Sequence, residues 1–222
     1  MSKSNSSESL KEIAKQLRCP TGAKGLEIAH AMNETNSGMT LETIRSLNLQ
    51  QRDSVLELGH GNALHLPSLF QIENNLFYTG LDISPLMNAE AERINSSLIN
   101  SGKAIFKLYD TLPLPFADES FNKIFTVNTI YFWKKPELML QEFYRILKPN
   151  SLCCITFVQK EFMEDLPFTS FNFEFFDIER VKYISTDTDF NILEPINNKE
   201  IVHNHEGAEI QRPYTILRLS KI

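Results

Sequence analysis

The chain has 222 residues and a formal net charge of −6, from 22 basic and 28 acidic side chains. That length can bury one sizeable core, and an acidic chain with no basic run argues against a general nucleic-acid or anionic-membrane surface. The three cysteines, Cys19, Cys153 and Cys154, lack metal-ligand spacing; with no signal peptide and no apolar run long enough for a bilayer, the expectation is a cytoplasmic protein with reduced thiols and no metal.

The polar, Ser-rich start, residues 1–9, is expected to be disordered. Residues 10–50 read as a helical leader in pieces. Leu10, Ile13, Ala14 and Leu17 share one helical face, Pro20, Gly22 and Gly25 break it, Ala29 to Met32 form a short second piece, and Thr40 caps a third. Residues 51–222 read as an α/β core in the same single domain. Val55, Leu56 and Leu58 form a buried strand ending at Gly59, and Leu64 to Phe70 a helix. Leu76 to Ile83 is a second strand, followed by the Ser84-Pro85 helix start and one helix to Gly102. Ala104 to Leu108, Lys123 to Val127 and Leu152 to Val158 are further strands, with a helix from Pro136 to Leu147 before the last. Alternating strands and helices imply a mostly parallel sheet with helices on both faces. Asp177 to Tyr183 reads as a helix, and Phe190 to Ile201 with Thr215 to Leu219 as a closing antiparallel pair.

The chemistry concentrates in Glu57-Leu58-Gly59-His60-Gly61-Asn62-Ala63, between a strand and a helix. Glycines there let the backbone turn tightly and approach a ligand. The site of ligand binding in an open α/β sheet is outside the carboxyl ends of the strands. Asp82 ends the second strand about 20 residues beyond the glycines, the spacing of an acid that accepts bonds from ribose hydroxyls. Leu64 stands where a nicotinamide-binding loop carries its third glycine, and Glu57 would repel a pyrophosphate but attract a cationic ligand.

These features and those after them resemble the class I S-adenosylmethionine-dependent methyltransferases, in particular the type 11 branch that includes ubiquinone and sterol methyltransferase-like proteins. The resemblance covers roughly residues 53–158. Val55 to Ala63 match the first motif and Gly80-Leu81-Asp82-Ile83-Ser84-Pro85 the second. Tyr109-Asp110, then Leu114-Pro115-Phe116-Ala117-Asp118-Glu119-Ser120-Phe121, match the third. Asn128 to Trp133 match the loop after strand four, and Arg145-Ile146-Leu147-Lys148-Pro149-Asn150 the Arg-x-Leu-Lys-Pro-Gly hallmark. The resemblance implies a Rossmann-like fold with a seven-stranded sheet, and S-adenosylmethionine as cofactor. It places Glu57 near the methionine end, Asp82 on the ribose, Asp110 near the adenine amino group, and Gly59, His60, Gly61, Ile83, Thr111 and Asn128 around the cofactor. The leader segment Gln16-Leu17-Arg18-x-Pro20-x-Gly22, then Met32-Asn33-x-x-Asn36, resembles a leader of bacterial members and is expected to fold over the site as a lid.

Two positions depart from the pattern, Ala63 and Asn150, each standing for a glycine. Asn tolerates left-handed geometry, whereas Ala63 weakens the cofactor loop if its φ is positive. Tyr131, Trp133, Asn33 and Asn36 are the candidate substrate-pocket residues, with Tyr131-Phe132-Trp133 equally readable as core packing. No general base is assigned; Tyr131, His60 and His203 are candidates. His60 and His65 lack a third metal ligand, and His203, His205 and Glu206 read as a surface loop. The expected activity is methyl transfer to a small-molecule acceptor with no nucleic-acid or membrane partner; a protein or tRNA methyltransferase, or a non-catalytic cofactor-binding protein, is the alternative.

Overall fold

The computed structural model describes residues 2–110, 112–203 and 207–222. Two helices, α1 (Ser2–Arg18) and α2 (Gly22–Ser46), precede β1 (Ser54–Leu58), α3 (Leu66–Ile72), β2 (Phe77–Asp82), α4 (Pro85–Ile94), α5 (Ser96–Asn100) and β3 (Ala104–Leu108). There follow β4 (Phe121–Val127), a 3-10 turn (Ile130–Phe132), α6 (Pro136–Ile146), β5 (Leu147–Val158), α7 (Lys160–Glu164), a second 3-10 turn (Pro167–Ser170), α8 (Ile178–Ile184), β6 (Asn191–Ile192), β7 (Ile196–His203) and β8 (Glu209–Lys221).

One sheet holds all the strands in the order β3-β2-β1-β4-β5-β8-β6, with β7 also paired to β8. The first five strands are mutually parallel, and β8 runs antiparallel to β5, β6 and β7. This is the expected Rossmann-like architecture. Its eight ladder segments fill seven strand positions, because β6 and β7 lie on the same edge of β8, separated by Leu193-Glu194-Pro195. A proline has no N–H for a ladder, so the strand expected over 190–201 divides there.

The central strands are buried on both faces, which explains their near-continuous apolar sequence. Val55, Leu56, Leu58, Ile124 and Phe125 meet Leu140, Phe143, Ile155 and Phe157 in one core. The third and fifth sequence motifs also meet. Arg145 pairs with Asp118 at 2.7 Å and Glu142 at 2.8 Å, and donates to the Phe116 and Leu114 carbonyls at 2.9 and 3.2 Å. The Arg of one motif therefore holds the Pro-Phe-x-Asp turn of the other. Asn150 takes the left-handed conformation, φ 58°, as an Asn in a glycine's place can.

The leader differs from its expected form. Helix α1 runs from Ser2, so it reaches into the stretch expected to be disordered, and α2 is one helix of 25 residues, not two short pieces. Gly25, read as a break, and Gly38 are both contact points inside α2. A Cβ on Gly25 would lie 2.8 Å from the Pro20 carbonyl carbon, and one on Gly38 2.9 Å from Glu200 Oε2. Each glycine costs the helix roughly 0.5–1 kcal/mol relative to alanine; docking against β4, β5 and β7 offsets it. Thr43 seals that contact with a buried hydroxyl bond to Thr156 at 2.7 Å. The helix expected to reach Gly102 divides at Asn95, whose Nδ2 donates to the Ala63 and Ala91 carbonyls at 3.1 and 3.0 Å.

Candidate functional site

The carboxyl ends of β1, β2, β3 and β4 open into a cleft of about 1050 Å³, covered by α1 and α2. Its floor is the turn after β1. Gly59 (φ 77°) and Gly61 (φ 56°) adopt conformations that suit glycine. At Gly59 the need is also steric, since a Cβ there would sit 2.3 Å from Thr129 Cγ2 of the β4 loop. Thr129 is fixed in turn by hydroxyl bonding to Thr126 and by the Trp133 indole N–H at 3.2 Å.

Asp82, at the end of β2, locks the turn. Its Oδ2 accepts the Gly61 N–H at 2.9 Å, and its Oδ1 accepts the Ser84 N–H at 2.8 Å. A carboxylate has about four acceptor positions, so part of its capacity remains for a ligand. Burial pushes the Asp82 carboxyl above the usual carboxylate range, against the two backbone bonds that favour the charged form. Ser84 caps α4 by accepting the Met87 N–H at 3.2 Å, and its hydroxyl donates to the Pro20 carbonyl at 2.6 Å, tying the leader to the site.

Glu57 is buried at the end of β1. Its Oε2 accepts from the Tyr78 hydroxyl and is 2.8 Å from His65 Nε2. Two partners on one oxygen fix the carboxylate's orientation. The buried Tyr78 hydroxyl is pushed well up in pKa, by desolvation first and the Glu57 charge second, so it stays a donor. His60 is buried against Phe106 at 5.0 Å between ring centroids, and Gly80 makes room, since a Cβ there would be 2.7 Å from the imidazole. Burial lowers the His60 pKa and holds the ring neutral.

Of the residues singled out from sequence, Glu57, Gly59, His60, Gly61, Asp82, Ile83, Asp110 and Asn128 all line the cleft, as do Trp133, Asn33 and Asn36. Thr111, His205 and Glu206 lie outside the described residues. Tyr131 is a correction: it sits behind the wall, not on it. Its hydroxyl donates to Asn128 Oδ1 at 2.9 Å and accepts the Val158 N–H at 2.6 Å, so it supports the β4 loop from below. Burial raises its pKa as well, which removes it as a base. His203 is exposed at the end of β7, 3.9 Å from Glu209, and is no part of the cleft. Ala63 has φ 51°, the left-handed geometry named above as the unfavourable case. Yet it is fully buried and absent from the cleft wall, so its methyl packs into the core.

Sequence reasoning missed Tyr78, the role of His65, and the basic side chains Lys15, Arg18, Lys134 and Lys135 that line the cleft. Tyr78 had a signal: with Gly80 and Asp82 it occupies alternate positions of β2, on one face. The lysines and arginine had none, being dispersed in sequence and gathered by the fold.

A Rossmann-like sheet with a glycine turn after β1 and an acid ending β2 is a frame for a ligand that carries a ribose. A family model described as Methyltransferase domain matches residues 56–155. The chain therefore carries the pattern of a methyltransferase domain over the stretch that holds the glycine turn, Asp82 and Asp110. It is 26% identical over 133 residues to the "Uncharacterized methyltransferase YdaC" of Bacillus subtilis (strain 168), across 60% of this chain and 71% of that protein. It is 24% identical over 169 residues to an O-methyltransferase of Pyrenophora dematioidea, across 73% of this chain and 63% of that protein, just under two-thirds of its length. Among solved structures it is similar to a Haloferax volcanii methyltransferase in complex with the Trm112 activator, with TM-score 0.72 and 16% identity over 86% of this chain and 92% of that one. That last likeness speaks for the fold alone.

The residues present fit S-adenosylmethionine, the cofactor that the sequence resemblance implies. A Cβ on Gly61 would meet nothing within 4 Å, so its backbone is approachable, and Asp82 keeps acceptor capacity. Asn33 also places a buried Nδ2 donor, without a partner among the described residues, in the cleft wall.

Proposed function

We propose that this chain transfers a methyl group from S-adenosylmethionine to a small-molecule acceptor held in the same cleft. The observation that carries this reading is the size and cover of the cleft. About 1050 Å³ lies at the upper end of the roughly 300–1,000 Å³ of small-molecule sites, a size suited to the cofactor with a compact acceptor beside it. The covering leader contributes Leu17, Ala29, Met32, Leu41 and Ile44 from α1 and α2 and Pro20 from between them, beside polar Lys15, Arg18, Asn33 and Asn36, a mixed roof suited to a compact acceptor that carries a polar group.

In this reading Asp82 accepts the ribose hydroxyls and is already oriented by Gly61 and Ser84. Glu57 faces the positively charged methionine end, held by Tyr78 and His65. Asp110 lies toward the adenine amino group, and the backbone of Gly59 to Gly61, with His60, Ile83, Thr111 and Asn128, completes the cofactor wall. Asn33, Asn36 and Trp133 face the acceptor. When bound, S-adenosylmethionine supplies an electrophilic methyl activated by the sulfonium charge. The chain's own contribution is alignment of the acceptor, worth an effective molarity on the order of 10⁵ M or more in well-oriented reactions, and exclusion of water by the leader. A base is required only if the acceptor must lose a proton. None of the buried tyrosines serves, and no base is assigned.

Lys15, Arg18, Lys134 and Lys135 support a second reading, a tRNA or protein acceptor. All four are exposed residues at the cleft of an otherwise acidic chain, and none makes an ion pair among the described residues. The same charges suit an acidic group on a small acceptor. Incubation with radiolabelled methyl donor separates the readings: label in an organic-extractable product of a small-molecule panel supports the first. Label only in bulk tRNA or protein replaces it with the second. Cofactor binding with turnover of none of them makes the chain a non-catalytic binder.

A further inference from the structure

A hydrogen-bonded chain runs from the C-terminal hairpin to the cleft. Arg212 on β8 and Glu200 on β7 form an ion pair with side chains only 12% and 13% exposed. Arg212 Nε and Nη2 both donate to Glu200 Oε1, at 3.1 and 2.6 Å. Nη2 also donates to the Thr35 carbonyl and to Asn36 Oδ1, the latter at 3.0 Å. The other oxygen of Glu200 accepts the Met39 N–H at 3.1 Å. Thr35 and Met39 form one rung of α2, so the ion pair grips both ends of a single helical turn. Gly38 is what admits it, since a Cβ there would meet Glu200 Oε2 at 2.9 Å.

The chain continues inward. Asn36 Oδ1 accepts a second bond, from Asn128 Nδ2 at 3.3 Å, and Asn128 Oδ1 accepts from Tyr131. Asn36 and Asn128 line the cleft; Arg212 and Glu200 do not. A guanidinium has donors only, so Arg212 compels Asn36 to turn its carbonyl oxygen outward to the hairpin. That leaves the Asn36 amide donors unused by any described residue. Asn33, one turn earlier on α2, adds an Nδ2 with no partner among the described residues. Positions three apart on a helix are neighbours on its surface.

We propose that Arg212, braced by Glu200, is a positioning residue for the cleft. It orients Asn36 and, through Asn36, Asn128, and it pins the middle of α2 over the bound cofactor. This rests on the cofactor assignment made above, and touches residues far from the glycine turn in sequence. Arg212 carries four of the bonds in the chain, and no cleft-lining residue replaces it.

The test is a double-mutant cycle in the full-length protein, with S-adenosylhomocysteine as the probe and calorimetry as the readout. Arg212→Met should weaken binding by about tenfold, the order of effect of losing one hydrogen bond to a charged group. If Arg212 acts through Asn36, then Arg212→Met added to Asn36→Ala costs little further affinity. Additive losses, or unchanged affinity in Arg212→Met, overturn the proposal. Glu200→Gln, which preserves size but replaces one acceptor by a donor against the Met39 N–H, keeps the question open to measurement if Arg212→Met does not fold; it should weaken binding in the same direction, and unchanged affinity counts against the proposal. Hydrogen exchange of the ligand-free variants gives a second, cofactor-independent readout. Exchange should quicken over residues 29–40 and not over 54–82. Wild-type protein that fails to bind the probe defeats the cofactor-site reading alone, and unchanged exchange over 29–40 then defeats the positioning role separately.

Discussion

Asp82 offers the sharpest test of the site. Replacing it with Ala removes the acceptor of two backbone N–H groups, Gly61 at 2.9 Å and Ser84 at 2.8 Å, as well as the proposed ribose contact. Loss of a bond to a charged partner is worth about 1.5–3 kcal/mol, so affinity for S-adenosylhomocysteine should fall by roughly 10- to 150-fold. Stability should fall too, by about 2–4 kcal/mol, because two buried donors lose their partner while the cost of burying a charge is relieved. Asp82→Asn separates the effects: it keeps the volume and one oxygen, so the fold should suffer less than the affinity. The pH dependence has a definite sign. Burial raises the Asp82 pKa in the free protein, and accepting ribose hydroxyls favours the charged form. Affinity is therefore full above the raised pKa and is lost as pH falls through it, before ordinary surface carboxylates titrate. The linkage to folding runs oppositely: a folded pKa above the unfolded one means that protonation of Asp82 stabilises the fold as pH falls through the same window. Calorimetry across pH, with thermal melts alongside, reads both. Unchanged affinity in a folded Asp82→Asn protein would refute the ribose assignment.

Gly59→Ala should destabilise by about 2–4 kcal/mol, from left-handed backbone strain plus the 2.3 Å clash with Thr129 Cγ2; Thr129→Ser in the same chain should recover part of the loss in a thermal melt, and no recovery would discount the clash. Ala63→Gly should change stability by less than about 1 kcal/mol, since relief of strain opposes loss of a buried methyl. It should leave cofactor affinity alone, because Ala63 is buried away from the cleft; tighter binding would show that the methyl burdens the loop after all. Exchange over Leu10 to Met39 should slow when S-adenosylhomocysteine binds, as expected of a lid. Slowing confined to Gly59 to Ala63 would reduce the leader to a static cover.

The β1 turn and the acid ending β2 were legible because both are local: a glycine pair, a strand period and a fixed spacing determine them within about 20 residues. The same holds for Ser84-Pro85 as a helix start, which the structure keeps with Ser84 as cap. The leader was less legible. Gly38 and Gly25 look like breaks in a string of residues, yet their function depends on Glu200 and Pro20 pressing against them. Nothing local tells a glycine that ends a helix from one that admits a neighbour. Tyr131 failed for another reason. Its place after β4 was right, but the 3-10 turn directs its hydroxyl to Asn128 and Val158, behind the wall. Arg212 gave no sign, because its partners lie on α2 and β7 and meet only once the hairpin folds back.

Pro195 matters for what the molecule avoids as well as for how its sheet ends. Without it, residues 191–203 would present one long outer border of unsatisfied backbone groups, a template on which another chain can stack. The proline cuts that border into a two-residue and an eight-residue piece, and Lys199 adds an exposed charge to the longer one. The opposite border, β3, is only five residues long and carries Lys107. Both margins of the sheet are thus short or charged where another strand would pair, which makes them poor seeds for fibril-like growth beside a wide, strongly apolar sheet interior.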